Sequence, residues 1–192
     1  MRLLGATRAT IKSTRQMIEM KIFGIVGWSG SGKTTLMRHL MPELIRRGLR
    51  VSSMKHTHHD FDIDKPGKDS HMHREAGAHE VLITGARRWA ILHENRDCPE
   101  PNIDELLARM EKVDLVLIEG FKNYGHAKLE VYRPTVGKTL MAYEDESIVA
   151  VASDVSLVIN GTRCLDLNNI SAIADFIITH CDFLSEEEND TA

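Results

Sequence analysis

The segment from residue 27 to residue 34 constrains the fold more than any other part of this sequence. It reads Gly-Trp-Ser-Gly-Ser-Gly-Lys-Thr, which matches the pattern GxxxxGK followed by Ser or Thr. The apolar run 22–26 precedes it, and a stretch with leucines at positions 36, 40 and 44 follows it. A buried strand, a glycine-rich turn and an amphipathic helix in this order predict a phosphate-binding loop in an α/β fold.

The residue types of this loop suit the binding of a nucleoside triphosphate. Glycines let the backbone turn tightly with its N–H groups pointing inward, and the following helix N-terminus adds partial positive charge. Lys33 is expected to reach the β- and γ-phosphates, and the Thr34 hydroxyl is expected to bind Mg²⁺. The predicted nucleotide-binding residues of the loop are Gly27, Trp28, Ser29, Gly30, Ser31, Gly32, Lys33, Thr34 and Thr35.

Short apolar runs alternate with helical stretches along the rest of the chain. The pattern predicts strands at 22–26, 50–55, 81–84, 89–92, 113–118 and 148–152, and helices at 33–47, 103–111 and from residue 168 or 169 to about residue 180. This alternation predicts an α/β fold with a mostly parallel sheet flanked by helices, of the P-loop NTPase type. In the segment 128–143 apolar and polar residues alternate less regularly, and this segment is predicted to form a small antiparallel or protruding element.

Composition narrows the class of protein. The chain has 192 residues, of which 42% are hydrophobic and 27% charged, and these values are typical of a globular domain. With 24 basic and 28 acidic residues, the sequence has no global basic field for nucleic acid, and no apolar run approaches the roughly 20 residues of a membrane span. The three cysteines are single, which favours the reducing cytoplasm.

The two ends of the chain differ in composition from its middle. Residues 1–19 carry Arg2, Arg8, Lys12 and Arg15 against Glu19 and show no strand or helix pattern. We predict that they are a disordered extension or the product of a start site read too far upstream, with a functional basic arm as the alternative. Residues 20–182 are predicted to form the nucleotide-binding domain, and residues 183–192 an acidic tail.

Two carboxylates frame the apolar strand predicted at 113–118. Ligands of parallel sheets bind at the carboxyl ends of the strands, and five strand residues separate Asp114 from Glu119 by roughly 17 Å. Glu119 therefore lies at the ligand edge, as a direct or indirect partner of Mg²⁺ or as the group that orients an attacking water. Asp114 is expected to cap or pair at the opposite edge.

Two further loops lie at the predicted ligand edge. The loop after the second strand contains Asp60 and Asp62, either of which could join the Mg²⁺ shell of a mobile switch, with a solvated loop as the alternative. Asp154 follows the strand predicted at 148–152 and could accept guanine N1–H and its 2-amino group, or Ser153 and Asp154 could simply begin a turn. Arg133 could contact anions or lie on the solvated surface.

The sequence also concentrates histidines in one region, at positions 56, 58, 59, 71 and 73. Imidazoles are common transition-metal ligands, so a metal-delivering GTPase is one alternative function. Their spacing matches no closed zinc pattern, and no cysteine accompanies them.

Several motifs together resemble the MobB proteins, the molybdopterin-guanine dinucleotide biosynthesis adaptors. They are the phosphate loop at 23–35, Lys-His-Thr-His-His-Asp at 55–60, Asp-Lys-Pro-Gly-Lys-Asp-Ser at 64–70, Ala-Gly-Ala at 76–78, Glu-Gly-Phe-Lys at 119–122 and Ala-Ser-Asp at 152–154. The likeness spans about residues 20–180. It implies that residues 27–35 bind phosphate. It also implies that Glu119 is the family's acidic residue at the end of a strand.

The resemblance implies a GTP-binding adaptor of P-loop fold that binds GTP with Mg²⁺ and is at most a slow GTPase. It also implies a homodimer and a partner enzyme that joins GMP to molybdopterin, a molybdenum cofactor guanylyltransferase of the MobA type. Slow hydrolysis is also expected because no arginine is evident in a loop that faces the phosphates. The alternatives are a P-loop small-molecule kinase, although no arginine-rich lid is evident, and the metal-delivering GTPase.

Overall fold

The computed structural model describes residues 19–57 and 61–183. In chain order its elements are β1 (Lys21–Val26), α1 (Lys33–Arg46), β2 (Val51–Lys55), α2 (Asp69–Glu75), β3 (Glu80–Thr84), β4 (Trp89–His93), α3 (Ile103–Arg109), β5 (Leu115–Glu119), β6 (Lys128–Tyr132), β7 (Ile148–Ser153), β8 (Arg163–Asp166) and α4 (Ile170–His180). The described residues divide into two compact units, the first formed by residues 19–56 and 112–183 and the second by residues 57 and 61–111. The predicted extension and acidic tail lie almost entirely outside the described residues, and the bounds 20–182 stay a prediction.

The first unit is built on a six-stranded sheet in the order β2-β5-β1-β6-β7-β8. Every neighbouring pair in this sheet is parallel, as the alternation of strands and helices predicted. The carboxyl ends of β5, β1, β6 and β7 therefore lie side by side at one edge. The chain leaves β1 at the centre of that edge, which is where ligands bind in sheets of this type.

The core of the first unit packs α1 and α4 against this sheet. The leucines predicted to form the apolar stripe of α1 are buried, together with sheet and α4 side chains that include Phe23, Ile25, Leu36, Leu40, Leu44, Ile173 and Ile177. Asn169, one of the two predicted start residues, begins α4, and its side chain accepts a hydrogen bond from the Ala172 N–H at 3.0 Å. Burial of these apolar faces anchors both helices on the sheet.

The prediction of an antiparallel or protruding element at 128–143 is wrong. Residues 128–132 form β6, a parallel strand between β1 and β7, and the remainder contains two short 3₁₀ turns at 134–136 and 141–143. The charged side chains of β6 are buried: Lys128 pairs with Asp145 at 2.9 Å, and Glu130 accepts the N–H groups of Met141 and Ala142 at 3.0 Å. The partners of Lys128 and Glu130 come from the segment that follows β6. Without knowledge of these partners, charged residues in the sequence of β6 indicate an exposed element.

The second unit contains α2, α3 and the antiparallel pair β3–β4, which is the small antiparallel sheet of this protein. Asn102 begins α3 with a capping box, since its side chain accepts the Glu105 N–H while the Glu105 carboxylate accepts the Asn102 N–H. The sequence predicted β3, β4 and α3 but neither α2 nor, in the first unit, β8. Over the described residues, no helix is long and apolar enough to cross a membrane.

Candidate functional site

The loop between β1 and α1 has the backbone geometry of a tight phosphate cradle. Gly27, Gly30 and Gly32 all have positive φ angles, of 140°, 82° and 100°, which L side chains rarely adopt. At Gly27 a Cβ atom would also lie 2.4 Å from the carbonyl oxygen of Val131, so no side chain fits there. The Ser31 side chain is buried, and its Oγ has no hydrogen-bond partner among the described residues.

Lys33, the first residue of α1, folds back over this loop. Its Nζ donates to the carbonyl oxygens of Gly27 and Trp28, both at 3.0 Å. Burial lowers the pKa of Lys33 and the charges of Lys122 and Lys55 lower it further, while the Glu119 carboxylate opposes this shift. Two neutral carbonyls are weak partners for an ammonium group, so phosphate oxygens would be a better match for it.

Glu119 occupies the position that the strand-end argument predicted. It is the last residue of β5, and the Thr34 hydroxyl donates to its Oε1 at 3.3 Å. Hydroxyl and carboxylate oxygens are the hard ligands that Mg²⁺ prefers, so this pair fits a magnesium ion beside a bound triphosphate. Asp114 lies at the other edge as predicted, where it accepts the Arg50 N–H at 2.7 Å.

Gly120 makes the close approach at this strand end possible. Its φ is 101°, and a Cβ atom there would lie 3.1 Å from both the Cβ and the carbonyl oxygen of His56. The Gly120 N–H donates to the carbonyl oxygen of Ile25, the last residue but one of β1. This contact holds the end of β5 against the strand that leads into the loop.

Arg133 connects the phosphate loop to Asp154. It follows β6, its Nε donates to the Ser31 carbonyl oxygen at 3.1 Å, and its guanidinium pairs with the Asp154 carboxylate. The sequence left open whether Arg133 contacts anions or lies on the solvated surface, and the structure places it beside the phosphate loop. The contact joins residues 102 positions apart in the chain, so only the position of Arg133 directly after a strand hinted at it.

Two cavities extend from the loop along the carboxyl ends of β7 and β8. One, of about 340 Å³, lies beside Gly32, Thr35, Arg133 and Asn168. The other, of about 410 Å³, is lined by Asp154, Asp166 and again Asn168. Together they offer space beside the phosphate cradle with amide and carboxylate groups in their walls. Asp166 and Asn168 were not singled out from the sequence, because β8 was not predicted.

Two aspartates of the charged segment after β2 lie in the second unit. Asp62 pairs with Arg74 at 3.0 Å, and Asp64 accepts the Ser70 hydroxyl at 2.7 Å, so part of the 64–70 motif builds a local ion-pair network. Asp60, proposed for the Mg²⁺ shell, lies outside the described residues together with two of the clustered histidines. Among the residues that are described, no group of three or more His, Cys, Asp and Glu side chains is arranged to hold a metal ion.

Comparison with known proteins gives consistent matches. The family model for molybdopterin guanine dinucleotide synthesis protein B matches residues 22–154. The molybdopterin-guanine dinucleotide biosynthesis adapter protein of Escherichia coli K12 is 42% identical over 160 residues, covering 82% of this chain and 91% of the relative. The adapter protein of that name from Haemophilus influenzae Rd is 44% identical over 162 residues, covering 83% of this chain and 88% of its own length.

Solved structures of similar proteins have the same fold. A crystal structure of molybdopterin-guanine biosynthesis protein B aligns with a TM-score of 0.60 at 27% identity, covering 83% of this chain and 99% of that one. The crystal structure of Bacillus subtilis MobB aligns with a TM-score of 0.64 at 22% identity, covering 87% of this chain and 99% of that one. The second likeness concerns the fold alone.

Proposed function

This chain belongs to the MobB family of molybdopterin-guanine dinucleotide synthesis proteins, and we propose that it is a GTP-binding adapter of that biosynthesis with slow, Mg²⁺-dependent GTP hydrolysis. The observation that carries the nucleotide part is the Gly27–Lys33–Thr34–Glu119 arrangement, in which loop, ammonium, hydroxyl and carboxylate converge. The adapter role rests on the relatives, which the chain matches over most of their length.

We place the triphosphate in the cradle formed by residues 27–35. The N–H groups of the loop and of the first turn of α1 would donate to phosphate oxygens, and Lys33 would exchange its two carbonyl partners for the β- and γ-phosphates. Mg²⁺, held by the Thr34 hydroxyl and by Glu119 directly or through water, would neutralise negative charge on the phosphates. The buried Ser31 hydroxyl would gain the partner that it lacks.

Hydrolysis in this site would be an in-line attack of water on the γ-phosphorus. The bond to the β–γ bridging oxygen breaks as the new P–O bond forms, which gives GDP and inorganic phosphate. Glu119 is the carboxylate placed to orient the attacking water if it is not an ion ligand. We propose slow turnover because the guanidinium of Arg133 is engaged with Asp154 and the Ser31 carbonyl, and so is not free to stabilise the transition state.

Asp154 is the residue that we propose for guanine recognition. Its carboxylate lines the 410 Å³ cavity beyond the phosphate loop, and a carboxylate accepts both the N1–H and the 2-amino group of guanine, which adenine lacks. Arg133 uses part of the hydrogen-bonding capacity of this carboxylate, and the remaining lone pairs would be available to the base.

The proposed partners are a second copy of this chain and a MobA-type molybdenum cofactor guanylyltransferase, with both proteins in the cytoplasm. Support for a second copy comes from the β3–β4 pair, where Leu82, Ile83, Trp89 and Ile91 are exposed. A two-stranded sheet is marginal alone, and an exposed apolar face of this kind is typical of an interface.

Isothermal titration of GTP and ATP in the presence of Mg²⁺ tests the proposed nucleotide site. We expect tighter binding of GTP than of ATP, and a loss of about hundredfold in GTP affinity in Lys33→Ala, since two charge-assisted hydrogen bonds to phosphate disappear. Lys112→Ala is the matched control, because Lys112 is an exposed lysine before β5. Equal affinities for GTP and ATP, or unchanged GTP affinity in Lys33→Ala, would contradict the proposal.

A further inference from the structure

A third cavity opens beside the phosphate loop, and the nucleotide proposal does not use it. Its volume is about 660 Å³, and its walls include Trp28 of the loop, Lys122 and Tyr124 after β5, and residues of the segment 139–147. All of these residues belong to the first unit. A cavity of this size is within the range that holds small molecules, about 300–1,000 Å³.

Positive charge is concentrated at the Trp28 wall. The Nζ atoms of Lys122 and Lys138 lie 4.8 Å and 5.6 Å from the centroid of the Trp28 ring. The indole N–H donates to the Thr139 carbonyl oxygen at 2.8 Å, which holds the ring in place. No carboxylate of the described residues forms an ion pair with either ammonium. Both ammonium groups lie near the same ring, so an anionic ligand beside Trp28 would be attracted by both.

The segment 144–147 contributes hydrogen-bond acceptors to the same cavity. The Asp145 carboxylate already has partners within the protein, because it accepts hydrogen bonds from the buried Lys128 ammonium at 2.9 Å and from the Ser147 N–H. Burial acts to raise the pKa of Asp145, but the hydrogen bonds from Ser147 and Lys128 outweigh it and lower the pKa. Glu144 and Glu146 are exposed, and neither is ion-paired with a described residue, so their carboxylates remain available as acceptors.

We infer that this cavity binds a phosphorylated ligand whose ring carries adjacent N–H and amino donors, and we assign that ligand to the phosphorylated pterins. The two ammonium groups suit a phosphate monoester, and the carboxylates suit the 2-amino-4-oxopyrimidine edge of a pterin. Guanine carries the same edge, so a second guanine nucleotide is the competing source of this chemistry. The inference rests on the proposed function, an adapter in the biosynthesis of a dinucleotide that contains molybdopterin, which is a phosphorylated pterin.

Fluorescence polarisation with neopterin monophosphate as the probe tests this inference. The titration is made on the whole protein, with and without a saturating non-hydrolysable GTP analogue, and GTP binding is measured on the same samples. We expect saturable binding of the probe and a loss of about tenfold in affinity in Lys138→Glu, since a positive charge beside Trp28 of the cavity wall is replaced by a charge that repels phosphate. Lys112→Glu is the matched control for a charge reversal at an exposed lysine of the same unit, and we expect no change.

Competitors separate the possible ligands. Displacement of the probe by GMP as effectively as by unlabelled neopterin monophosphate would overturn the pterin assignment, and equal displacement by inorganic phosphate would show an anion site without ring recognition. A protein that binds GTP but not the probe contradicts this inference alone. One that binds the probe but not GTP contradicts the nucleotide proposal alone, and one that binds neither contradicts both.

Discussion

Arg133 and Asp154 form a charged pair at the far side of the phosphate loop. The guanidinium contacts the Ser31 carbonyl oxygen and lies close to Gly32, where a Cβ atom would be 3.4 Å from its Nε. In the proposed nucleotide site, a positive charge at this position would stabilise the phosphate chain whichever base the nucleotide carries. The carboxylate of Asp154 lines a cavity and is the group that we propose to distinguish bases. The two residues are therefore expected to have separable effects on nucleotide binding.

We predict different consequences when each member of this pair is removed. Arg133→Ala should weaken GTP and ATP alike by about tenfold, because both nucleotides lose the attraction of the same positive charge beside the phosphate loop. Asp154→Ala should weaken GTP by about tenfold and leave ATP affinity nearly unchanged, because only guanine donates to the carboxylate. Titration of both nucleotides against both variants measures this, and an equal loss for GTP and ATP in Asp154→Ala would exclude base recognition by that residue.

At the level of single residues, the most informative argument was that ligands bind at the carboxyl ends of parallel strands. It separated Glu119, which receives the Thr34 hydroxyl, from Asp114, which contacts the Arg50 N–H at the other edge. It could not assign a role to Arg133, because the pairing of β6 with β1 and β7 cannot be read from the local pattern.

Among the elements, α4 combines a strong local start signal with a buried tertiary face. The Asn169 side chain accepts the Ala172 N–H, and Ile173, Ala174 and Ile177 are completely buried against the core. Asn169 thus satisfies one of the N–H groups that every helix leaves unpaired at its start. The helix it begins covers one face of the sheet, so its stability contributes to that of the first unit.

We predict that Asn169→Ala destabilises the protein by about 1 kcal/mol, which corresponds to a fall of roughly 2–4 °C in Tm. Asn169→Asp should keep the stability of the original protein, since a carboxylate also accepts the Ala172 N–H and is favoured by the helix dipole. Thermal unfolding followed by circular dichroism compares the three proteins. A Tm of Asn169→Asp as low as that of Asn169→Ala would show that the cap contributes nothing.

The strands differed in how well the sequence predicted them. Apolar runs identified β1, β5 and β7, because strands buried on both faces contain few polar residues. The prediction failed at β6, whose Lys128 and Glu130 are buried with partners from the segment 141–147. A charged residue in a strand normally indicates an exposed face, because a buried charge needs a partner. The partners of Lys128 and Glu130 lie outside β6, so the sequence of the strand does not show them.

At the scale of the whole molecule, the proposed homodimer is the property best tested on the second unit. In the β3–β4 pair, Leu82 lies opposite Ile91, and 59% and 47% of these side chains are exposed. Trp89 on the same strand as Ile91 is 67% exposed. Burying this apolar surface in a second copy would remove its contact with water and stabilise a sheet that is small by itself.

We predict that the wild-type protein sediments as a dimer and that the double variant Leu82→Glu, Ile91→Lys sediments as a monomer. The two new charges are opposite in sign and face each other across the strands, so the pair itself is retained. Val158→Lys is the control, because Val158 is fully exposed in the first unit. A monomeric wild-type protein, or a dimeric double variant, would show that this surface does not join two copies.

The sequence by itself determined the phosphate loop, the mostly parallel α/β class, the start of a helix at Asn102 and of another at Asn168 or Asn169, and the opposite placement of Glu119 and Asp114. These features depend on local rules: glycine conformation, capping, apolar periodicity and the direction of a single strand. Only the tertiary structure decided the order of the strands, the burial of Lys128 and Glu130, and the contact of Arg133 with Ser31. The strand order and the Arg133–Ser31 contact join segments that are distant in the chain, and the charges of β6 depend on partners that the local pattern does not show. Such pairings are selected by packing and by charge neutralisation in the folded protein.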